Sequence, residues 1–367
     1  MAIRQRVAPL LYSRLKTYPA QNIPDCALKR LETEYLNSAM TNMVLFTEFS
    51  HIFNVLGEDC VPFIALKGAH LAEMVYPDPA LRIVGDLDIL VKEKDLSRAA
   101  SSLLRLGYSP SVKPCVDPAD DHHLPPFVRS GKAPVEIHWG LHSFSLPARA
   151  DIDGLWQRAL PAKLGSGHAL VLSIEDLLLQ LSLHASQHNF TLKLSSIYDV
   201  YETIRSHQSE INWKGLESRA HRWGAQKALF LMLALSVELL GAAVPVDFLE
   251  RMRPADLTQD FTEYARIQIF ADTKAVSERM AEMYRTRRLR DKIRILLERL
   301  FYPSKYSDKV SSISPSPNLL YVLRRLKFLL RSGYGRSIWQ MYNADAKDLL
   351  LTNPDTARTL KDWLFKA

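Results

Sequence analysis

The feature that most constrains the fold is a short segment, Gly85 to Val91, in which acidic and apolar residues alternate. A period of two is typical of a β-strand that has one face in the core. Residues two apart in a strand project from the same face, roughly 6.6 Å apart, so Asp86 and Asp88 aim both carboxylates at one point. The segment therefore predicts a half-buried strand that presents two acids together.

Two further apolar segments have strand length. Val61 to Leu66 is a continuous apolar run, and the glycine at position 68 follows it and opens a helical pattern, Ala69 to Tyr76. Val135 to Trp139 is the third strand, with Glu136 between two apolar residues. The first 145 residues are therefore expected to hold helices around a small mixed sheet.

The acids have a chemical use in this setting. Two carboxylates held together repel at neutral pH, and a bound Mg²⁺ ion relieves that repulsion. By itself Asp86-Leu87-Asp88 is weak evidence for a metal site, because a solvated strand end has the same pattern. The turn Lys67-Gly68 strengthens the functional interpretation, because glycine lets backbone N–H groups approach a phosphate at the positive end of the next helix.

A strand-glycine-helix turn, an Asp-x-Asp strand and a later strand with one acid together resemble the polymerase-β-like nucleotidyltransferase superfamily. More closely, IALKGAHLAEMVYPDPALRIVGDLDILV followed by PVEIHWGL resembles the uncharacterised nucleotidyltransferase family found near lasso-peptide and exopolysaccharide biosynthesis genes. The resemblance covers residues from about 8 to 240. It implies an α+β fold, in which helices precede a nucleotidyltransferase palm and an all-α C-terminal half follows it. The turn departs from the superfamily's usual Gly-Ser or Gly-Gly, because Lys67-Gly68-Ala69 offers no hydroxyl.

The resemblance also implies a reaction. A nucleoside monophosphate would pass from an NTP to a hydroxyl or other acceptor on a peptide, a saccharide or a small molecule, and pyrophosphate would leave. Two Mg²⁺ ions, or Mn²⁺, would bind Asp86, Asp88 and Glu136. The residues expected to contact the nucleotide are Lys67, Gly68, Arg82 and His138. The alternative function is a non-catalytic nucleotide- or RNA-binding module, antitoxin-like or a scaffold.

Two of these nucleotide-binding residues have structural alternatives. Arg82 stands four residues before Asp86, within reach of a phosphate, but it could instead form a salt bridge with Asp86 or Asp78. His138 shares a strand face with Glu136, so it could orient that carboxylate, touch the nucleotide, or be a half-buried histidine without a role in the site.

Helical patterns dominate after Asp151, and strand signals largely stop there. The predicted helices are Ile174 to Phe190, Leu194 to Ser206, Trp213 to Trp223 and Ala225 to Leu240. We expect four parts: a helical lead-in over 1–56, the palm over 57–145, a helical domain packed on it over 146–245, and a basic helical region over 246–367.

Two pairs of histidines invite a metal interpretation. His184 and His188 are spaced i, i+4 on one helix, as in helical zinc sites, but no third ligand completes them. We favour a structural role in which His184 bonds Asp199. His122 and His123 follow Asp120 and Asp121 in a loop that could bind a metal but more plausibly covers the substrate.

The net charge of +7 is unevenly distributed, since residues 279–336 hold 15 Lys or Arg against 4 Asp or Glu. This tract could bind nucleic acid, lie on an anionic membrane, or be the solvated face of helices. The three cysteines fit no zinc or disulfide framework, and no secretory signal is recognised. Ala228 to Val246 is apolar but contains Glu238, so we expect a buried helix rather than a transmembrane one, and a cytoplasmic protein.

Overall fold

The computed structural model of the chain describes residues 1–17, 23–111, 122–141, 149–188, 190, 192–270, 360 and 363–364. The helices of the described residues are α1 (Ala8–Thr17), α2 (Asp25–Glu58), α3 (Lys67–His70), α4 (Leu96–Arg105), α5 (Ile152–Arg158), α6 (Ile174–Gln187), α7 (Leu194–Ser206), α8 (Trp213–Arg222), α9 (Gln226–Leu240), α10 (Val246–Met252) and α11 (Gln259–Phe270). A π-helical turn, Leu71–Val75, continues α3, and single 3-10 turns lie at Pro79–Leu81 and Glu93–Asp95.

Seven strands of the described residues form one mixed sheet. They are β1 (Phe63–Ala65), β2 (Leu87–Val91), β3 (Ser109–Pro110), β4 (Phe127–Val128), β5 (Val135–His138), β6 (Leu160–Leu164) and β7 (Gly167–Val171). Their order across the sheet is β3-β4-β5-β2-β1-β7-β6. The pairs β2/β5 and β1/β7 are parallel, and the other neighbours are antiparallel.

The two faces of the sheet are covered by different helices. On one face, Leu87 and Ile89 pack with Phe49 and Ile52 of α2 and with apolar residues of α4. On the other face, Leu90 shares a core with leucines of α6, α7 and α9. Successive residues of a strand point to opposite faces, so Asp88 lies on the same face as Leu90, the one that α6 to α9 cover.

The predicted fold class is confirmed, as are the three strands around the acids and the four helices that the spacing predicted after residue 174. The prediction that strands largely end at Asp151 was wrong, because β6 and β7 belong to the sheet and β7 pairs with β1. Most of β6 is open to solvent and contains Pro161, while β7 contains Gly167 and Ala169. These residues weaken the alternation and the β-propensity that a sequence pattern can detect. The proposed division into four parts stays a prediction, although the sheet continues past residue 145.

The apolar segment near residue 230 forms α9, most of which is buried, and the left-handed Gly241 (φ 68°) ends it. No helix among the described residues is long and apolar enough to cross a membrane. The basic tract at 279–336 lies outside the described residues, so its three interpretations remain open. Asp120 and Asp121 also lie outside them, and the predicted metal role of that loop is not tested.

Candidate active site

Strands β2 and β5 bring the predicted acids together. They run parallel, and their register places Asp88 opposite Glu136 and Leu90 opposite His138. Asp86 directly precedes β2. Asp88 is buried, Glu136 is half-buried and Asp86 is open to solvent. The three acids therefore form a group on one sheet face that extends from the interior to the solvent.

His138 lies between two of the acids. Its Nε2 atom is 2.9 Å from Asp88 Oδ1 and 3.5 Å from Glu136 Oε2. One ligand atom from each of these three residues lies within 4.8 Å of the other two. Carboxylate oxygens suit Mg²⁺ and Mn²⁺, and an imidazole nitrogen suits transition metals. This donor set fits a divalent cation, and it includes His138, which the sequence assigned to the nucleotide.

A lysine and a histidine keep the most buried acid ionised. Burial on its own would raise the pKa of Asp88, but Lys67, whose Nζ is 3.6 Å from Asp88 Oδ2, and the hydrogen bond to His138 lower that pKa well below its usual value. The contact with His138 also lowers the pKa of Glu136. Burial would lower the pKa of His138, but its bonds to Asp88 and Glu136 raise it. The group thus compensates its charges internally.

Asp86 behaves differently. Desolvation by the surrounding protein and repulsion from Asp88 raise the pKa of Asp86 to about 6, against the smaller opposing effect of Lys67. When the protein alone disfavours the ionised form of a carboxylate, a bound cation stabilises that ionised form most. Asp86 is therefore the acid of the group whose ionisation a bound metal would favour most.

The predicted turn lies against the start of β2. Lys67 has a left-handed backbone (φ 38°), which is uncommon outside glycine. The N–H of Leu66 donates to the carbonyl of Asp88 over 3.0 Å. A Cβ at Gly68 would lie 3.4 Å from Val84 Cγ1 and 4.0 Å from the carbonyl oxygen of Asp86, so the turn packs against the residues that lead into β2. The turn thereby holds the Lys67 ammonium next to the acids, and the contact of Lys67 and Gly68 with a nucleotide stays a prediction.

Arg82 has a partner that the sequence did not indicate. Its Nε and Nη2 atoms donate to the two carboxylate oxygens of Asp199 on α7, over 2.7 and 2.9 Å. The hydroxyl of Tyr76 donates to the same carboxylate over 2.7 Å. The suggested salt bridges to Asp86 or Asp78 do not form, and neither does the bond from His184 to Asp199. The guanidinium anchors the segment before Asp86, and the contact of Arg82 with a nucleotide stays a prediction.

One residue near the acids, Arg6, was not identified from the sequence. Arg6 donates from Nη2 to the carbonyl of Ile83 over 3.2 Å, and its charge interacts with Asp86. The Gln5 side chain fixes this N-terminal segment to α7 by accepting from the N–H of Leu194 over 2.9 Å. The ring of His123 lies 5.1 Å from that of His138, centroid to centroid. No local motif marks Arg6, because only the tertiary fold brings it to the site.

Comparison with known proteins agrees with this geometry. A family model described as an uncharacterised nucleotidyltransferase matches residues 1–241. The chain belongs to this family. The matched range of the nucleotidyltransferase family ends at Gly241, the residue that ends α9, so it includes the hairpin of β6 and β7 as well as the acids. No curated protein and no solved structure gives a significant match.

Proposed function

We propose that this protein transfers a nucleoside monophosphate from an NTP to an acceptor hydroxyl and releases pyrophosphate, with Mg²⁺ or Mn²⁺ as cofactor. The observation that carries the proposal is the acidic group of Asp86, Asp88 and Glu136 on one sheet face, in a chain of the nucleotidyltransferase family. Transfer at phosphorus needs little covalent help from the protein and gains chiefly from positioning and charge neutralisation.

Each acid has a defined part in this proposal. We assign Asp86, Asp88 and Glu136 to hold the metal. The nitrogen of His138 is a neighbouring donor, because ligand atoms of Asp88, Glu136 and His138 lie within 4.8 Å of one another. When bound, divalent ions neutralise the triphosphate and favour in-line displacement at the α-phosphorus. The acceptor oxygen forms a bond to the α-phosphorus. At the same time the bond between the α-phosphorus and the oxygen that bridges the α- and β-phosphates breaks, and pyrophosphate leaves. We assign Glu136, the half-buried acid, to accept the hydroxyl proton.

The acceptor is proposed from the resemblance. The resemblance suggests a peptide or saccharide precursor by association with neighbouring genes, and a small molecule remains open. We also propose that the protein acts in the cytoplasm. The alternative function, a module that binds nucleotide or RNA without turnover, is less favoured because all three acids are present and lie together.

The test is transfer of label from each α-³²P-NTP to components of a cell extract, with Mg²⁺ or Mn²⁺. We expect labelled product with the wild type, at least roughly a 100-fold loss in Asp86→Asn and Asp88→Asn, and loss on chelation that added metal restores. Asp247→Asn, on the exposed surface of α10, is the matched control and should retain activity.

Two outcomes would contradict parts of the proposal. Labelling that persists in both Asp86→Asn and Asp88→Asn would show that the site is wrongly assigned. Metal-dependent binding of NTP without any transfer, in extracts of the source cells, would favour the non-catalytic module.

A further inference from the structure

Helix α6 carries His184 in its last turn, and His188 follows as its C-cap residue. His184 is partly exposed and His188 is exposed, whereas Leu183, Ala185 and Ser186 beside them are buried. The two imidazole rings lie 4.7 Å apart, centroid to centroid, at 75° to each other. The spacing i, i+4 thus produces a pair of adjacent rings at the end of the helix.

The pair lies over the sheet face that carries the acids. Leu90 occupies the same face as Asp88, and it shares a hydrophobic core with Leu177 and Leu181 of α6. Leu177, Leu181 and His184 are spaced i, i+4 and i+7, so His184 lies on the same face of α6 as these two leucines, and His188 follows at the end of that face.

Electrostatic interactions also place His184 and His188 near Lys67 and the acids. His184 interacts electrostatically with Lys67, Asp88 and His138, and His188 interacts with Lys67 and Glu136. Desolvation lowers the pKa of both histidines, and the positive charge of Lys67 lowers it further. Solvent screens part of this effect at the exposed His188. The lowered pKa favours the neutral form of both rings, and a neutral imidazole carries one N–H donor.

A purely structural role leaves His184 unexplained. Asp199, the expected partner of His184, is engaged by Tyr76 and Arg82. Within the described part of the chain, His184 makes no side-chain hydrogen bond. The buried leucines of α6 already supply the packing of this helix.

We propose that His184 and His188, together with Lys67, bind the β- and γ-phosphates of the NTP. The inference rests on the proposed function and adds the residues that hold the leaving group. The turn after β1 has Ala69 where a hydroxyl could have contacted the triphosphate. Two imidazole N–H groups and an ammonium can donate hydrogen bonds to phosphate oxygens, and the ammonium also offsets their negative charge. Asp86, Asp88 and Glu136 would hold the divalent cation that acts at the α-phosphate.

The experiment measures binding rather than turnover. The NTP that binds most tightly in the presence of Mg²⁺ is chosen first, and the dissociation constants of its tri-, di- and monophosphate and its nucleoside are then measured by calorimetry. We expect His184→Asn and His188→Asn each to weaken triphosphate binding by about tenfold and to change nucleoside binding by less than about twofold. The matched control is His51→Asn, an exposed histidine on α2, which should bind like the wild type.

The series separates failure of this inference from failure of the proposed function. If the wild type binds triphosphate and both variants, with native circular dichroism, bind it equally well, the phosphate role is wrong and the proposed function stands. An equal loss for nucleoside and triphosphate would also overturn the phosphate role. If the wild type binds none of the NTPs in the presence of Mg²⁺, both proposals fail. His188 is exposed, so His188→Asn keeps the test valid even if His184→Asn does not fold.

Discussion

His138 joins two acids that would otherwise repel each other. Its single Nε2 atom bonds Asp88 and lies near Glu136, and the ring is almost entirely buried. A partner that orients metal-binding carboxylates commonly contributes as much to metal affinity as a weak ligand does. The imidazole can serve in either way, as a direct nitrogen donor or as an orienting group.

Replacing this histidine should weaken metal binding. We expect His138→Asn to raise the dissociation constant for Mn²⁺ by roughly 10- to 100-fold, because the two carboxylates lose the group that holds them in place. Electron paramagnetic resonance of free Mn²⁺ measures the constant, and modulation from a coordinated nitrogen would distinguish a direct ligand from an orienting group. His168→Asn on β7, exposed, is the control. An unchanged constant in His138→Asn would remove His138 from the metal site.

Lys67 keeps a side chain where the backbone favours glycine. A left-handed residue other than glycine costs roughly 1–2 kcal/mol. Lys67 has this conformation where its ammonium lies 3.6 Å from Asp88 and interacts electrostatically with His184 and His188. Strain of this kind is common at functional sites.

At the scale of elements, a buried ion pair ties α7 to the segment that leads into β2. Arg82 and Asp199 are both largely enclosed, and Tyr76 adds a hydrogen bond to the same carboxylate. The pair sets the approach of the chain to Asp86, four residues later.

Removing one partner should be costly. Asp199→Asn leaves the Arg82 guanidinium buried without a counter-charge, and we expect a loss of about 3–5 kcal/mol in the free energy of unfolding. Urea denaturation measures it. Asp247→Asn, which removes an exposed ion pair with Arg251, should change stability little. A similar, small effect of the two substitutions would show that the Arg82 pair does not stabilise the fold.

The β6–β7 hairpin is fixed to α2 at its turn. Gly165 and Gly131 both have positive φ, 59° and 71°, but a Cβ at Gly165 would lie 2.7 Å from Ser50 Oγ and one at Gly131 meets no described atom within 4 Å. We expect Gly131→Ala to cost about 1 kcal/mol of backbone strain, and Gly165→Ala to cost about 1–3 kcal/mol more from crowding. Equal losses in urea denaturation would contradict the anchoring.

Sequence reasoning succeeded for elements whose signal is local. The alternation around Asp86 and the leucine spacing of α6 repeat over several residues, so β2 and α6 were predicted correctly. Sequence reasoning failed where a residue's partner lies far away in the chain. Arg82 and Asp199 are 117 residues apart, and only packing selects that carboxylate over the nearer Asp78. The short β6 is mostly exposed and contains a proline, so its pairing gave no pattern.

For the whole molecule, stability depends on pH through a buried histidine. His70 is 5% exposed, and its Nδ1 has no hydrogen-bond partner in the described part of the chain. Burial lowers its pKa to about 3, with a smaller contribution from His207. The unfolded chain takes up a proton near pH 6.5 and the folded chain does not, so stability falls as the pH drops from about 6.5 toward 3.

His70→Leu should remove this part of the pH dependence. Between about pH 6 and pH 4, the free energy of unfolding of the wild type should fall more steeply than that of the variant, by up to about 1.4 kcal/mol per pH unit. Urea denaturation at several pH values measures both slopes, and the other titrating groups cancel in the difference. Parallel slopes would show that His70 is protonated in the folded state or is exposed.

The position of β7 has a practical consequence for anyone who shortens this chain. A fragment that stops at residue 145 keeps all the acids, yet it removes the strand that pairs with the far side of β1. Its sheet would then end in β1, an apolar strand with unpaired N–H and C=O groups, and such edges recruit other chains into aggregates. A fragment that extends through α9 keeps that edge covered, so the smallest useful piece of this protein is set by the sheet and not by the acids.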